Sequence, residues 1–299
     1  MRAAAIGIGS NSLRMLVADH QSKRLTAILR DREGLRVFAS LDSQLKISQD
    51  MIRRTCESVS RMKDKAAALG AERIFLFATS AVRDARNQRE LSDAILEETG
   101  LSLAVCSGEL EAKLSFVGAA EEPCSGMIDI GGGSTEIVIG ELDTIEFSTS
   151  LQAGAVRLYR ELPIRSTADA VRVQMAVQAL LEPHLAKIRQ LKTPTAWVGV
   201  GGTMTAAATC IQQIDWNADH GVHGFKAKRE SIQEAMETLA GLSPEQRRSL
   251  PFLPPDRADI IVHGFAILSG CMKALNIDAI TISERTNLDG YLKLFTADE

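Results

Sequence analysis

The feature that most constrains this chain is an internal repeat. Residues 5–19, AIGIGSNSLRMLVAD, lie over residues 127–141, MIDIGGGSTEIVIGE, at a constant offset of 122 positions. In that register Ile6, Ile8, Gly9 and Ser12 recur as Ile128, Ile130, Gly131 and Ser134. Both windows read as an apolar strand, a turn of small residues and a second strand. A strand–turn–strand unit that returns after a gap long enough for further strands and helices predicts two homologous domains. The chain has 299 residues, 45% of them hydrophobic, so it has the apolar material for two cores. The copies differ at one telling place, where Gly7 in the first stands opposite Asp129 in the second.

Around the repeat, apolar runs alternate with helical periodicity, which predicts an α/β fold. Strands are expected at 3–8, 13–19, 26–31, 35–40 (LRVFAS), 73–79 and 101–106. Helices are expected over 48–69 and 86–99, with a third starting near Gly108. The segment EEPCSG at 121–126 combines charge, proline and glycine and marks the domain boundary, giving domains 1–121 and 122–299. The second half then reads as a strand at 145–150, a long helix over 166–190, and a strand at 195–200 running into GGT and an apolar helix. Helices over 228–241 and 256–274, a strand at 279–283 and a terminal helix complete it.

Composition excludes several classes. With 34 basic and 38 acidic side chains the formal charge is −4, which argues against a general nucleic-acid binder, so any polyanion must meet a local basic site. No apolar run approaches the roughly 18 residues of a membrane span, and MRAAAIGIGSNS turns polar too soon for a signal peptide; a cytoplasmic protein is expected. Five scattered cysteines (Cys56, Cys106, Cys124, Cys210, Cys271) with no CxxC pair read as reduced thiols, and zinc-ligand spacing is missing. His220 and His223 sit close together, but flanking glycines make them loop residues rather than metal ligands.

Three turns share one design: GIGSNS (7–12), IGGGST (130–135) and GVGGTM (199–204) each follow an apolar strand and set glycines beside a hydroxyl. Glycine lets the backbone approach a ligand closely, successive amides can converge on one anion, and serine or threonine adds a donor. A tight turn uses the same residues for geometry alone, yet three such turns, two in homologous positions, favour a phosphate cradle. None fits a P-loop or completes GxGxxG. Asp129 before the triple glycine and Glu136 after the hydroxyl pair suit Mg²⁺, a hard cation that keeps waters beside phosphate oxygens. A bare solvent-facing strand residue is the simpler account of Glu136; an aspartate inside a strand fit for burial is harder to dismiss. Glu109 and Glu111 fall in the first turn of a helix capped by Ser107, where acids favour the helix dipole, and a charged, solvated turn would account for both. Arg83 can clamp a phosphate bidentately or simply pair with Asp84.

Taken together, IGSNSLRMLV (8–17), ATSAVRDARN (78–87), SGELEAKL (107–114), IDIGGGSTEIVIG (128–140), QAGAVRL (152–158), VGVGGTMT (198–205), VHG (222–224), and RADI (257–260) with SER (283–285) resemble the exopolyphosphatase and guanosine pentaphosphate phosphohydrolase (Ppx/GppA) family, in order and over essentially the whole chain. The resemblance implies two RNase H-like domains of the actin, sugar kinase and Hsp70 superfold around a central cleft, in the short two-domain form. It further implies that Glu111 is the catalytic glutamate that activates water and that Arg83 binds the phosphate under attack. Asp129 and Glu136 match the Mg²⁺-associated acids. The phosphate loops it implies are Ser10, Asn11 and Ser12; Gly131, Gly132, Gly133, Ser134 and Thr135; and Gly201, Gly202 and Thr203. The chain departs from the family pattern where Gly7 replaces an aspartate, Leu110 a glutamate, and Leu288 an arginine.

The leading expectation is a Mg²⁺-dependent hydrolase that releases terminal phosphate from inorganic polyphosphate, with guanosine pentaphosphate as a second candidate substrate. The alternative is a catalytically impaired protein of the same fold that binds polyphosphate or guanosine tetraphosphate, a reading Gly7 favours. A sugar or acetate kinase would need a nucleotide site and an acceptor pocket, and the glutamate and arginine motifs argue against it. Neither nucleic acid nor membrane is an expected partner, and a homodimer is one option. Arg157, Arg160, Lys187 and Arg189 would form a polyphosphate track only if folding gathers them; solvated helix faces are the simpler account of the last two.

Overall fold

The computed structural model describes residues 1–21, 24–122, 124–141, 144–217 and 221–295. The chain divides into two compact units, Met1–Gly118 joined by the C-terminal segment from Thr286, and Ala119–Arg285.

The first unit opens with an antiparallel meander, β1 (Arg2–Ile8), β2 (Ser12–Gln21) and β3 (Arg24–Gly34). Then come α1 (Gln49–Ala68), β4 (Arg73–Ala78), α2 (Ser80–Arg83), α3 (Gln88–Thr99), β5 (Leu103–Val105) and α4 (Gly108–Ala119). The sheet order is β3-β2-β1-β4-β5, and β4 joins both β1 and β5 in parallel. Helix α1 starts where the Ser48 hydroxyl accepts from the Met51 amide (3.3 Å), and it buries Met51, Ile52, Thr55, Cys56, Val59 and Met62 at helical spacing.

The second unit repeats this plan. It contains β6 (Cys124–Ile130), β7 (Thr135–Glu141), β8 (Thr144–Leu151), α5 (Ala155–Glu161), α6 (Thr167–Ile188), β9 (Ala196–Val200) and α7 (Gly202–Gln212). After these come β10 (Lys226–Lys228), α8 (Arg229–Ala240), α9 (Pro244–Arg248), α10 (Ile261–Ala274) and β11 (Ala279–Ser283). The order is β10-β11-β9-β6-β7-β8, with β6, β9 and β11 parallel. Each unit therefore has the strand order expected of an RNase H-like domain, and the α/β class stands.

The offset of 122 holds in three dimensions. Ile8 pairs with Leu13 as Ile130 pairs with Thr135. The two turns close with the same bond, Gly9 N to Ser12 O at 3.0 Å and Gly131 N to Ser134 O at 2.9 Å. Even the β-bulge recurs, between Val17 and Ala18 and between Ile139 and Gly140. Bulges are inherited features of a sheet, so this one supports descent of both units from one unit.

The structure corrects some expectations. LRVFAS is not a strand: Arg36 has φ 60°, and the amides of Leu35, Arg36 and Phe38 turn away to the carbonyls of Asn11 and Ser10. The terminal helix, α11 (Asn287–Phe295), falls in the domain 122–299 by sequence but packs on β1, β2 and β3 of the first unit. Tyr291 stacks on Phe77 (centroids 4.7 Å apart), and Arg30 grips the buried Asp289 with two bonds. All five cysteines are free and buried, in keeping with reduced thiols. No described helix is long and apolar enough to cross a membrane.

Candidate active site

In the first unit the loop after β1 holds Ser10, Asn11 and Ser12, all at least nine-tenths buried. Its carbonyls face inward: Ser10 O accepts from Phe38 N, Asn11 O from Leu35 N and Arg36 N, and Ser12 O from Gly9 N. The Ser10 hydroxyl meets that of Ser80 at 2.8 Å, joining this loop to the one that follows the neighbouring parallel strand β4. Both polar atoms of the Asn11 amide are buried without a hydrogen-bond partner. A buried polar group without a partner is costly, so Asn11 carries an unmet hydrogen-bonding demand in this loop.

Arg83 ends α2, and its Nη1 donates to Glu111 Oε2 (2.8 Å) and to the Cys106 carbonyl (3.1 Å). Its ion pair is thus with Glu111 across the unit rather than with its neighbour Asp84. Glu111 is 7% exposed whereas Glu109 points to solvent, so the account of a charged, solvated first turn fits Glu109 alone. Ser107 caps α4, its hydroxyl accepting from Leu110 N at 3.1 Å, which fixes the turn that buries Glu111. Burial and the Glu111 charge push the nearby Cys106 thiol up to about 12, so it stays protonated and inert.

In the second unit the equivalent loop, Gly131–Ser134, has every carbonyl committed. Gly131 O accepts from Ala155 N, Gly132 O from Val156 N and Arg157 N, Gly133 O from Arg157 Nε (2.7 Å), and Ser134 O from Gly131 N. The backbone of Gly132 and Gly133 occupies the space where Gly154 would carry a Cβ, which explains the glycine of QAGAVRL. Thr135 donates its hydroxyl to Ala153 O, and the buried Ser134 hydroxyl has no partner. With its oxygens turned in, the loop leaves donors for an anion.

Asp129 and Glu136 sit directly opposite one another on β6 and β7, 8% and 1% exposed. Glu136 Oε1 accepts from Ser150 Oγ at 2.7 Å. The parallel pairing of Asp129 with Val200 brings in the third loop, Gly201, Gly202 and Thr203. Gly201 has φ 91°, a left-handed conformation, and a Cβ there would lie 2.8 Å from Asp129 Oδ1. Arg257 of RADI lies against Gly202, and Thr203 packs on Gly264 of α10.

Residues 16–293 match the Ppx/GppA phosphatase family. The chain belongs to that family. It is 31% identical to exopolyphosphatase 2 of Mycobacterium tuberculosis over 97% of both chains. It is 29% identical to the guanosine-5'-triphosphate,3'-diphosphate pyrophosphatase of Vibrio cholerae, over 94% of this chain and 56% of that protein. Among solved structures it resembles the Aquifex aeolicus Ppx/GppA enzyme (TM-score 0.84, 25% identity, 98% and 99% covered) and an exopolyphosphatase from Cytophaga hutchinsonii (TM-score 0.88, 22% identity, 99% and 98% covered). These likenesses establish the actin-like, RNase H-like two-domain fold.

Within the Ppx/GppA frame the expected residues fall into two groups, one per unit: the Ser10–Ser12 loop, Arg83 and Glu111 in the first, and both remaining loops with Asp129 and Glu136 in the second. Ser80, Gly154, Ser150 and Arg257 support them and were not singled out by sequence; three of these lay inside the matched motifs as signals. Arg157 donates its Nε–H to the Gly133 carbonyl, which ties it to the second glycine loop. Lys187 and Arg189 are exposed on α6 and its C-terminal cap, Lys187 stacking over Phe147. His223 lies in a turn and accepts from the Glu284 amide, as expected of a loop residue; His220 is outside the described residues.

Proposed function

We propose that this protein hydrolyses the terminal phosphoanhydride bond of inorganic polyphosphate, with guanosine pentaphosphate as a second substrate, and that it works with Mg²⁺. The observation that carries the reading is the pair of homologous loops whose carbonyls are committed internally while Asn11 and Ser134 keep buried polar atoms without partners. Such loops suit an anion made only of phosphate oxygens. The relatives' names, an exopolyphosphatase and a guanosine-5'-triphosphate,3'-diphosphate pyrophosphatase, point to the same substrate class.

Asp129 and Glu136 fit Mg²⁺: they offer hard carboxyl oxygens from directly opposite positions on adjacent strands. When bound, the ion would neutralise charge on the phosphate oxygens. Glu111 orients a water and takes its proton as the water oxygen bonds to the terminal phosphorus; the bridging P–O bond breaks and the shortened chain leaves with the electron pair. Arg83, paired with Glu111 through Nη1, positions that carboxylate and offers its remaining N–H donors to the phosphate.

The test is phosphate release from long-chain polyphosphate and from guanosine pentaphosphate with and without Mg²⁺. Release that needs the ion supports the reading. Tight binding without release favours the second reading, a polyphosphate or guanosine tetraphosphate binding protein, for which Gly7 is the specific observation: Phe77 and Leu288 fill the space at 3.1–3.2 Å from where its Cβ would be.

A further inference from the structure

The two acids assigned to Mg²⁺ belong to a row of three side chains that crosses the sheet of the second unit. Asp129 on β6 faces Glu136 on β7, and Glu136 in turn faces Ser150 on β8. Residues directly opposite on neighbouring strands project from the same face of a sheet, so these three side chains are neighbours in sequence along the row. Ser150 closes it: its hydroxyl donates to Glu136 Oε1 at 2.7 Å, the length of a bond to a charged oxygen. Glu136 is buried and Ser150 half-buried, so little bulk water competes for that bond.

The equivalent row in the first unit is Gly7, Arg14 and Arg32. It has neither a carboxylate nor a hydroxyl, so the serine accompanies the acids and is not demanded by the three-stranded meander itself. Thr149, one residue earlier on β8, serves the other face, where its hydroxyl lies 3.4 Å from His184 Nε2 on α6. A glutamate side chain turns about several bonds, and a ligand that must be fixed as a cation arrives gives up that freedom at the expense of affinity. A hydroxyl bond already in place removes part of that loss, which is how partners behind a metal ligand tune its strength.

We propose that Ser150 is a positioning residue: by holding Glu136 from the neighbouring strand, it sets how tightly the Asp129–Glu136 pair takes a divalent cation. The proposal rests on the Mg²⁺ reading of those two acids, and the experiment is chosen so that the failure of either can be told from the failure of the other.

Mn²⁺ is titrated into the full chain without substrate, and binding is followed by the loss of the free ion's paramagnetic resonance signal. Ser150→Ala is expected to weaken Mn²⁺ binding about 10–100-fold, the usual effect of removing a hydrogen-bond partner from a metal ligand. Ser150→Thr, which keeps the hydroxyl, is expected to recover most of the wild-type affinity, and Thr149→Ala, on the other face, to bind as wild type does. In phosphate-release assays with Ser150→Ala, the Mg²⁺ concentration giving half the limiting rate should rise by a larger factor than the limiting rate falls. A role in packing alone would lower the melting temperature of Ser150→Ala and leave its Mn²⁺ affinity untouched. That result, a Ser150→Thr variant as weak as Ser150→Ala, or an equal loss in Thr149→Ala would overturn the proposal while the metal reading stands. Wild-type protein that takes up no more Mn²⁺ than Asp129→Asn would remove the metal reading and the proposal with it.

Discussion

The two repeated hairpins share their register, their turn bond and even their bulge, yet they carry opposite charge at the same place. Where β6 and β7 set Asp129 against Glu136, β1 and β2 set Gly7 against Arg14, whose guanidinium reaches Asn287 Oδ1 (3.2 Å). In the first unit the position equivalent to Asp129 is given to packing: Phe77 and Leu288 lie against Gly7, and Tyr291 belongs to the same apolar cluster. Duplication supplied two loops of one design, and the side chains around them have diverged. The second hairpin carries the two acids proposed to hold Mg²⁺, while in the first unit the proposed arginine and glutamate, Arg83 and Glu111, stand on elements outside its hairpin.

That division can be broken in graded steps. Glu111→Gln should lower phosphate release by about 10²–10⁴-fold, the range for a lost general base, while the far-ultraviolet spectrum stays native. Asp129→Asn should cost roughly 10²–10³-fold and blunt the response to added Mg²⁺. The register-equivalent change in the other hairpin is the glycine itself: Gly7→Asp would press a carboxylate against Phe77 and Leu288, so it should lower stability by about 1–3 kcal/mol in a denaturant titration. It should bring no gain in Mg²⁺-dependent rate, and a clear gain would show that the lost carboxylate still has room and purpose. Arg14→Gln should change the rate by less than about tenfold, consistent with a partly exposed contact rather than a reacting group.

The smallest contrast is in pH dependence. His263 in the second unit is held at about 4 against an ordinary 6.5, so between those values the unfolded chain binds a proton that the folded chain does not. Its contribution is therefore whole above pH 6.5 and is lost as pH falls toward 4, on the order of 3 kcal/mol at most. Chemical denaturation of wild type and His263→Gln across that window should show the slope in the first and its reduction in the second.

Much of this was legible in the sequence because the repeat is carried by local signals. Glycines and hydroxyls in a turn, bounded by apolar strands, specify the hairpin and its loop wherever they occur, so both copies could be aligned without structure. LRVFAS looked like a strand because its apolar residues are enriched as strands are; it leaves the sheet because Arg36 adopts a left-handed conformation and the neighbouring amides bind the Ser10–Asn11 loop. The home of α11 was hidden for a different reason. Its anchors, Tyr291 on Phe77 and Asp289 on Arg30, are contacts across more than 200 residues, and no local pattern records them. The partner of Arg83 was likewise open between Asp84 and a phosphate, and burial of Glu111 by its capped helix resolved it.

The most direct test of the account is Mg²⁺-dependent phosphate release from long-chain polyphosphate by wild type and Asp129→Asn, measured in parallel with guanosine pentaphosphate. The account predicts release by wild type that requires Mg²⁺ and is largely lost in Asp129→Asn. Wild-type protein that binds either compound tightly yet releases no phosphate, or an Asp129→Asn variant with undiminished activity, would contradict it.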